Sequence, residues 1–88
     1  MYRYAEHREW LASDEGVKAV GQVLSNIRTR LDPAGVATMS ALWPHGAGNS
    51  DRMMAAVDHV VVMGEIVEVA QERTPFGQHR IFRRTDRP

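Results

Sequence analysis

The chain has 88 residues, which suffices for one domain and leaves no room for two hydrophobic cores. Its 11 basic and 11 acidic residues cancel, so net charge alone does not indicate a nucleic-acid partner. The absence of cysteine excludes disulfides and thiolate metal sites, and no apolar run approaches the roughly 20 residues of a membrane span. Since the amino terminus has no apolar signal segment, we expect a cytoplasmic protein.

The first predicted element is a short helix or ordered arm in residues 1–12. Its apolar side chains are Tyr4, Trp10 and Leu11. Tyr4 and Leu11 are seven residues apart, which suits two turns of a helix. We expect this segment to precede a domain that begins at residue 13.

A long amphipathic helix follows and is the clearest element of the sequence. Ser13 supplies a capping hydroxyl, and Asp14 and Glu15 place negative charge at the positive end of the helix dipole. Apolar residues then recur at spacings of three and four, which indicates the buried stripe of a helix. The stripe consists of Val17, Val20, Leu24, Ile27 and Leu31. The turn-forming stretch Asp32–Gly35 predicts the end of this helix.

A short extended piece and a short helix come next. The piece is Gly35–Thr38, and the Thr38 hydroxyl is suited to cap a helix that runs through Met39 to Trp43. Pro44 is expected to stop this helix, because proline cannot continue it.

A third helix is predicted over about residues 51–63, with Asn49 or Ser50 as its cap. Its apolar stripe is Met53, Val57 and Val60. By propensity alone, residues 59–69 (HVVVMGEIVEV) also suit one long strand. However, Gly64 would weaken the middle of a strand, whereas it suits the end of a helix. We therefore predict a helix to about residue 63 and a strand after it.

The pattern changes to a period of two after Gly64, which predicts a strand. One face of this strand is expected to hold Ile66, Glu68 and Ala70. Residues 74–77 contain the proline and glycine of a turn, and residues 78–84 return as a second strand. The two strands form a predicted β-hairpin.

The order of these elements resembles a winged helix-turn-helix domain. The resemblance rests on Gly35–Thr38 before the short helix, on Val57-x-x-Val60-x-x-x-Gly64-Glu65-Ile66, and on Pro75-Phe76-Gly77 before Arg80–Arg83. It implies an α+β fold with a three-helix core, a C-terminal two-stranded β-hairpin as the wing, and a short N-terminal helix or arm. The domain would span residues 13–84, with residues 85–88 as a tail.

The resemblance also implies binding of double-stranded DNA by a small transcriptional regulator without a cofactor. The helix at about residues 50–63 would enter the major groove, and the 66–84 hairpin would contact the backbone. Five Arg and one Asp between residues 73 and 88 suit phosphate contact. The expected DNA contacts are Asn49, Ser50, Arg52, Ala55 and His59 on the helix, and Arg73, Gln78, His79, Arg80, Arg83, Arg84 and Arg87 on or after the hairpin.

A protein-interaction module of the same fold is the alternative. The third helix has one Arg and two Asp, which is little positive charge for a DNA reader. Val62 and Met63 are also apolar where the family pattern is usually polar. Two explanations are open: the N-terminal segment covers the pair through Tyr4, Trp10 or Leu11, or the pair forms a homodimer surface.

No motif in the sequence indicates catalysis or a bound metal. The four histidines include no pair four residues apart, and no cysteine could complete a metal site. No nucleophile motif and no lysine-bearing phosphate loop is present. We expect neither an enzymatic activity nor a metal or cofactor.

Overall fold

The chain folds into helices packed on a small antiparallel sheet. A computed structural model describes residues 2–46, 48–75 and 77–85, without the side chains of residues 73, 74, 77 and 78. The helices are α1 (Arg8–Ala12), α2 (Asp14–Asn26), α3 (Asp32–Ala34), α4 (Met39–Leu42) and α5 (Ser50–Val62). The strands are β1 (Ala37–Thr38), β2 (Ile66–Thr74) and β3 (Gly77–Arg84). A 3₁₀ turn at Tyr4–His7 precedes α1, and a π-helical segment at Ile27–Leu31 joins α2 to α3. We refer to residues 2–12 as the N-terminal arm.

The three strands form one antiparallel sheet in the order β1–β3–β2. The α+β class and the hairpin of β2 and β3 agree with the sequence prediction. A third strand adds to the predicted two-stranded hairpin, because the extended piece before α4 pairs with β3. Ala37 lies opposite Phe82, and Thr38 lies opposite Ile81. The hairpin is thus joined to the helical part through backbone hydrogen bonds.

Side-chain caps begin three of the helices, as the sequence predicts. The Ser13 hydroxyl accepts a hydrogen bond from the backbone of α2 at 3.2 Å, and the Thr38 hydroxyl accepts one from α4 at 3.3 Å. The Asn49 side chain accepts one from the backbone of α5 at 2.8 Å. Each bond satisfies an N–H group that the start of a helix otherwise leaves without a partner.

Gly64 separates α5 from β2, as the sequence predicts. Its φ of 86° lies in the left-handed region, which glycine adopts without the steric cost of a Cβ. Residues 59–69 are therefore helical to Val62 and extended from Ile66. The single long strand that propensity also favours does not form.

The buried face of α2 differs from the predicted stripe. Val17 is 62% exposed, while Ala19 and Val23 are buried although the stripe omits them. Val20 and Leu24 lie at the edge of the core and are only partly buried. Ile27 and Leu31, which follow α2, are buried as predicted, so the stripe is misplaced only within α2. Gly16 and Ala19 on the buried face give little hydrophobic signal in a sequence, which favoured the neighbouring face of the helix.

One buried polar side chain within the described part of the chain, Asn26, connects α2 to the end of α4. Its Nδ2 donates to the carbonyl oxygens of Leu42 and Trp43, both at 3.2 Å, and its Oδ1 accepts from Gln22 at 3.1 Å. The carbonyls at the end of a helix have no partners within that helix. Asn26 satisfies them and thereby fixes the start of the turn that leads into α5.

A β-bulge interrupts the predicted alternation of β2. Glu68 pairs with Phe82 and Ala70 pairs with Ile81, so Val69 is an extra residue between the two pairs. Beyond such an extra residue, the side chains of the strand point to the opposite faces from those that strict alternation predicts. Ala70 therefore does not share a face with Glu68, which corrects the prediction for this strand.

Helix α1 approaches the start of α2 so closely that only glycine fits between them. A Cβ on Gly16 would lie 2.1 Å from the carbonyl oxygen of Trp10 and 2.5 Å from the Cα of Leu11. Both are backbone atoms, so a side chain at this position requires the two helices to move apart. The contact sets the position of the N-terminal arm on the domain.

Gly16→Ala should lower the free energy of unfolding by about 2 kcal/mol, because overpacking typically costs about 1–3 kcal/mol. Gly21→Ala is the matched control in the same helix, since a Cβ there meets nothing within 4 Å. It should raise the free energy of unfolding by about 0.5–1 kcal/mol through helix propensity. Urea denaturation measures both variants, and equal effects would contradict the close packing of α1 on α2.

Candidate nucleic-acid interface

The amino-terminal turn of α5 is the most open part of the predicted interface. Asn49 and Ser50 are exposed, and Arg52 is partly exposed. The Arg52 guanidinium lies 5.2 Å from the centre of the Trp10 ring, a cation–π contact, and 3.7 Å from Oε2 of Glu15. These surface contacts hold the guanidinium beside the first turn of α5.

A cleft of about 450 Å³, here named the α2–α5 cleft, lies beside this turn. Lys18 and Arg52 bring two positive charges to it, Glu15 brings one negative charge, and His45 also lines it. The other lining residues are Ala19, Gln22, Pro44, Gly46 and Gly48. Sequence reasoning found Arg52 and missed Lys18 and His45, because only the packing of α2 beside α5 brings them together.

The N-terminal arm covers the face of α5 beyond its first turn. The Tyr2 hydroxyl donates to Oδ2 of Asp58 at 2.6 Å. The Tyr4 hydroxyl lies 2.7 Å from Nδ1 of His59, and the two rings are stacked. Burial raises the pKa of the Tyr2 phenol above its usual value, and the hydrogen bond to Asp58 raises it further. The His59 side chain is thus engaged by the arm rather than presented to a groove.

Ala55 requires a correction to the predicted contact set. Its side chain is fully buried, so it cannot touch a base or a phosphate. The prediction assumed that the side of α5 away from the core is open. Instead, the 3₁₀ turn and α1 of the N-terminal arm pack against α5.

The arginines of β3 divide between the two faces of the sheet. Phe82 is fully buried. Since side chains alternate along a strand, Arg80 and Arg84 lie on the inner face with Phe82, and His79 and Arg83 lie on the opposite face. The inner arginines are therefore directed toward the acidic side chains of neighbouring elements.

Arg80 joins three elements of the fold. Its Nη2 donates to Oδ1 of Asp58 on α5 at 3.0 Å, and its Nε donates to Oε2 of Glu68 on β2 at 3.1 Å. Its guanidinium also lies 5.2 Å from the centre of the Phe82 ring. Two carboxylates surround this single positive charge, which removes the positive potential that the predicted phosphate contact needs.

Arg84 is paired in a similar way. Its Nε donates to Oδ1 of Asp32 on α3 at 3.0 Å, and its Nη1 donates to Oε2 of Glu65 at 3.0 Å. Only 20% of the Arg84 side chain is exposed. The pairs hold the end of the hairpin against the helices, so Arg84 also contributes little positive potential to the surface.

The other predicted DNA contacts of the hairpin differ in how far they are exposed and in whether the structure describes them. Arg83 is exposed, and His79 is partly exposed. The side chains of Arg73 and Gln78, and the whole of Arg87, lie outside the described residues, so their DNA contacts stay predictions. Arg83 is thus an exposed arginine on the outer face of β3.

The apolar pair that ends α5 remains exposed, with Val62 at 67% and Met63 at 50%. The N-terminal arm does not cover the pair, although it packs nearby. Tyr4 is engaged with His59, and Trp10 lies against a guanidinium at the other end of α5. Coverage by the arm therefore does not explain why these two positions are apolar, and the homodimer surface stays a prediction.

Comparisons with known protein families, with curated proteins and with solved structures gave no match for this chain. Within residues 2–46, 48–75 and 77–85, no helix is long and apolar enough to cross a membrane. In that same part of the chain, no three His, Asp or Glu side chains are placed to hold a metal ion.

Arg80→Ala should lower the free energy of unfolding by about 1–2 kcal/mol, because it leaves Asp58 and Glu68 as partly buried carboxylates without their cation. Arg28→Ala is the control, since Arg28 is exposed and has no ion pair within the described residues. It should change the free energy by less than about 0.5 kcal/mol. Thermal or urea denaturation measures the difference. If the two variants were equally stable, Arg80 would be available to an outside partner.

Proposed function

We propose that this chain is a winged-helix DNA-binding protein, a small transcriptional regulator that meets the duplex with the first turn of α5. The order of its elements supports the proposal: a long helix, a short strand, two helices joined by a turn, and a hairpin. The pairing of β1 with β3 supports it further, because it places the hairpin beside the helical part in the way a wing requires.

The open amino-terminal turn of α5 is the observation that carries the proposal. Asn49 and Ser50 are exposed there, and Lys18 and Arg52 add positive charge in the adjoining α2–α5 cleft. The start of a helix attracts phosphate through its N–H groups and its dipole, and basic side chains strengthen that attraction. The Asn49 amide nitrogen and the Ser50 hydroxyl would contact base edges in the major groove, because Oδ1 of Asn49 is already used to cap α5.

The same geometry predicts modest affinity for a single copy. The arm covers α5 beyond the first turn, and Arg80 and Arg84 are neutralised by acids. Glu15 and Asp51 add negative charge near the proposed contact. Each phosphate contact contributes to affinity through the release of bound counterions, so few contacts mean weak, salt-sensitive binding.

A protein-interaction module of the same architecture is the second candidate. The neutralised inner arginines and the exposed pair Val62 and Met63 favour it. The two candidates differ in their response to salt. DNA binding through phosphates weakens steeply as salt rises, whereas an apolar protein contact does not.

Arg52→Ala and Lys18→Ala should each weaken binding to a short duplex several-fold. Each should also lower the slope of log affinity against log salt by about one unit, the loss of one phosphate contact. Fluorescence anisotropy over a salt series measures both quantities. Arg28→Ala removes the same charge from another exposed position and is the control. If Arg28→Ala had the same effect, or if the wild type showed no binding at low salt, the proposed interface would be rejected.

Asp51→Asn should have the opposite effect and strengthen DNA binding, because it removes a negative charge from the first turn of α5 while keeping the size of the side chain. The gain should be largest at low salt and should shrink as salt screens the charge. The same anisotropy assay measures it, and Glu6→Gln on the N-terminal arm is the control, since Glu6 is exposed and does not line the α2–α5 cleft. Unchanged or weaker binding by Asp51→Asn would place the duplex away from this turn.

A further inference from the structure

An apolar groove runs between the N-terminal arm and the last turns of α5. We name it the α1–α5 groove, and its volume is about 500 Å³. Leu11, Ala12 and Val62 contribute apolar surface to it. Its polar lining residues are Tyr4, Arg8 and His59. Since Tyr4 and His59 are bonded to each other, Arg8 is the lining residue whose charge is open to a partner.

A projecting apolar knob adjoins this groove. Val62 lines the groove and is still 67% exposed, and Met63 follows it with 50% exposed. Large apolar side chains next to a groove are typical of association surfaces. One surface of this chain thus carries both a knob and a hole, which is the requirement for an interface between two identical copies.

The charges beside the two features are also complementary. Arg8 borders the groove, is exposed, and has no ion pair within the described residues. Glu65 follows the knob, and 44% of its side chain is exposed. One of its oxygens, Oε2, accepts from Arg84, and a carboxylate has lone pairs for a second donor. The groove is therefore bordered by a base, and the knob is followed by an acid whose charge is shared with Arg84.

We propose that this chain forms a two-fold symmetric homodimer in which the knob of each copy enters the α1–α5 groove of the other. The two-fold axis passes close to Val62, because this residue belongs to both the knob and the groove. Arg8 of each copy then faces Glu65 of the second copy. A neutral net charge means that no long-range repulsion opposes the approach.

The dimer is independent of DNA binding, since it uses the end of α5 opposite to the α2–α5 cleft. It also gives the N-terminal arm a second contact, because residues of the arm line the groove that the other copy fills. Two joined copies would present two first turns of α5, and linking them would strengthen DNA binding beyond the proposed weak contact of one copy through effective concentration.

Sedimentation equilibrium of the full chain over roughly 1 µM to 1 mM tests the dimer, a range suited to a small interface. We expect wild type to pass from monomer to dimer in this range. Val62→Asp should raise the dimer dissociation constant at least about tenfold, because it places a charge in an apolar contact. Val69→Asp is the control, since Val69 is 44% exposed on the bulge of β2, and it should leave the constant unchanged. A wild type that stays monomeric, or equal effects of the two substitutions, would overturn the proposal.

A charge exchange tests the contact between Arg8 and Glu65. Arg8→Glu and Glu65→Lys should each weaken the homodimer, because each puts like charges opposite one another at two places. An equal mixture of the two variants should recover dimer as a heterodimer, since both contacts then join opposite charges. Native mass spectrometry distinguishes the heterodimer by mass. Recovery cannot arise from misfolding, and a mixture with no more dimer than its separate components would overturn the proposed geometry.

Discussion

The carboxylate of Asp58 on α5 joins this helix to both the β2–β3 hairpin and the N-terminal arm. Its Oδ1 accepts from Arg80 of the hairpin at 3.0 Å, and its Oδ2 accepts from Tyr2 of the N-terminal arm at 2.6 Å. Only 16% of the Asp58 side chain is exposed, so its charge requires both partners to offset the loss of water. The orientation of the hairpin and the covering of α5 thus depend on the same side chain. The positive charge of Arg80 therefore pairs with carboxylates inside the fold and does not face a phosphate.

The local features of the fold were predictable from the sequence because their causes are local. Caps at Ser13, Thr38 and Asn49 depend on a side chain bonding to a backbone only a few residues away, and Gly64 ends α5 through its own φ. The hairpin follows from a period of two on either side of a proline–glycine turn. The strand at Ala37–Thr38 was harder to predict, since a two-residue strand is defined by its partner on β3 and not by its own pattern.

The candidate site was less predictable, because its properties depend on which side chains meet across the fold. Nothing near Ala55 in the sequence indicates that its side chain is fully buried, and nothing near Lys18 indicates that it lies beside Arg52. The inner arginines are a partial exception. Once Phe82 is taken as the buried residue of β3, alternation places Arg80 and Arg84 on its face, which identifies them as internal partners of acids. Their particular partners still required the three-dimensional structure.

The placement of the N-terminal arm has a consequence for the order of events during synthesis. Tyr2 and Tyr4 bond to residues that are 56 and 55 positions further along the chain. At roughly 5–20 residues per second, the arm leaves the ribosome several seconds before its binding surface on α5 exists. Contacts so distant in sequence are expected to form late in folding. During that interval the aromatic side chains of the arm have no partners on α5, so the order of synthesis leaves them exposed until residues 58 and 59 have been made.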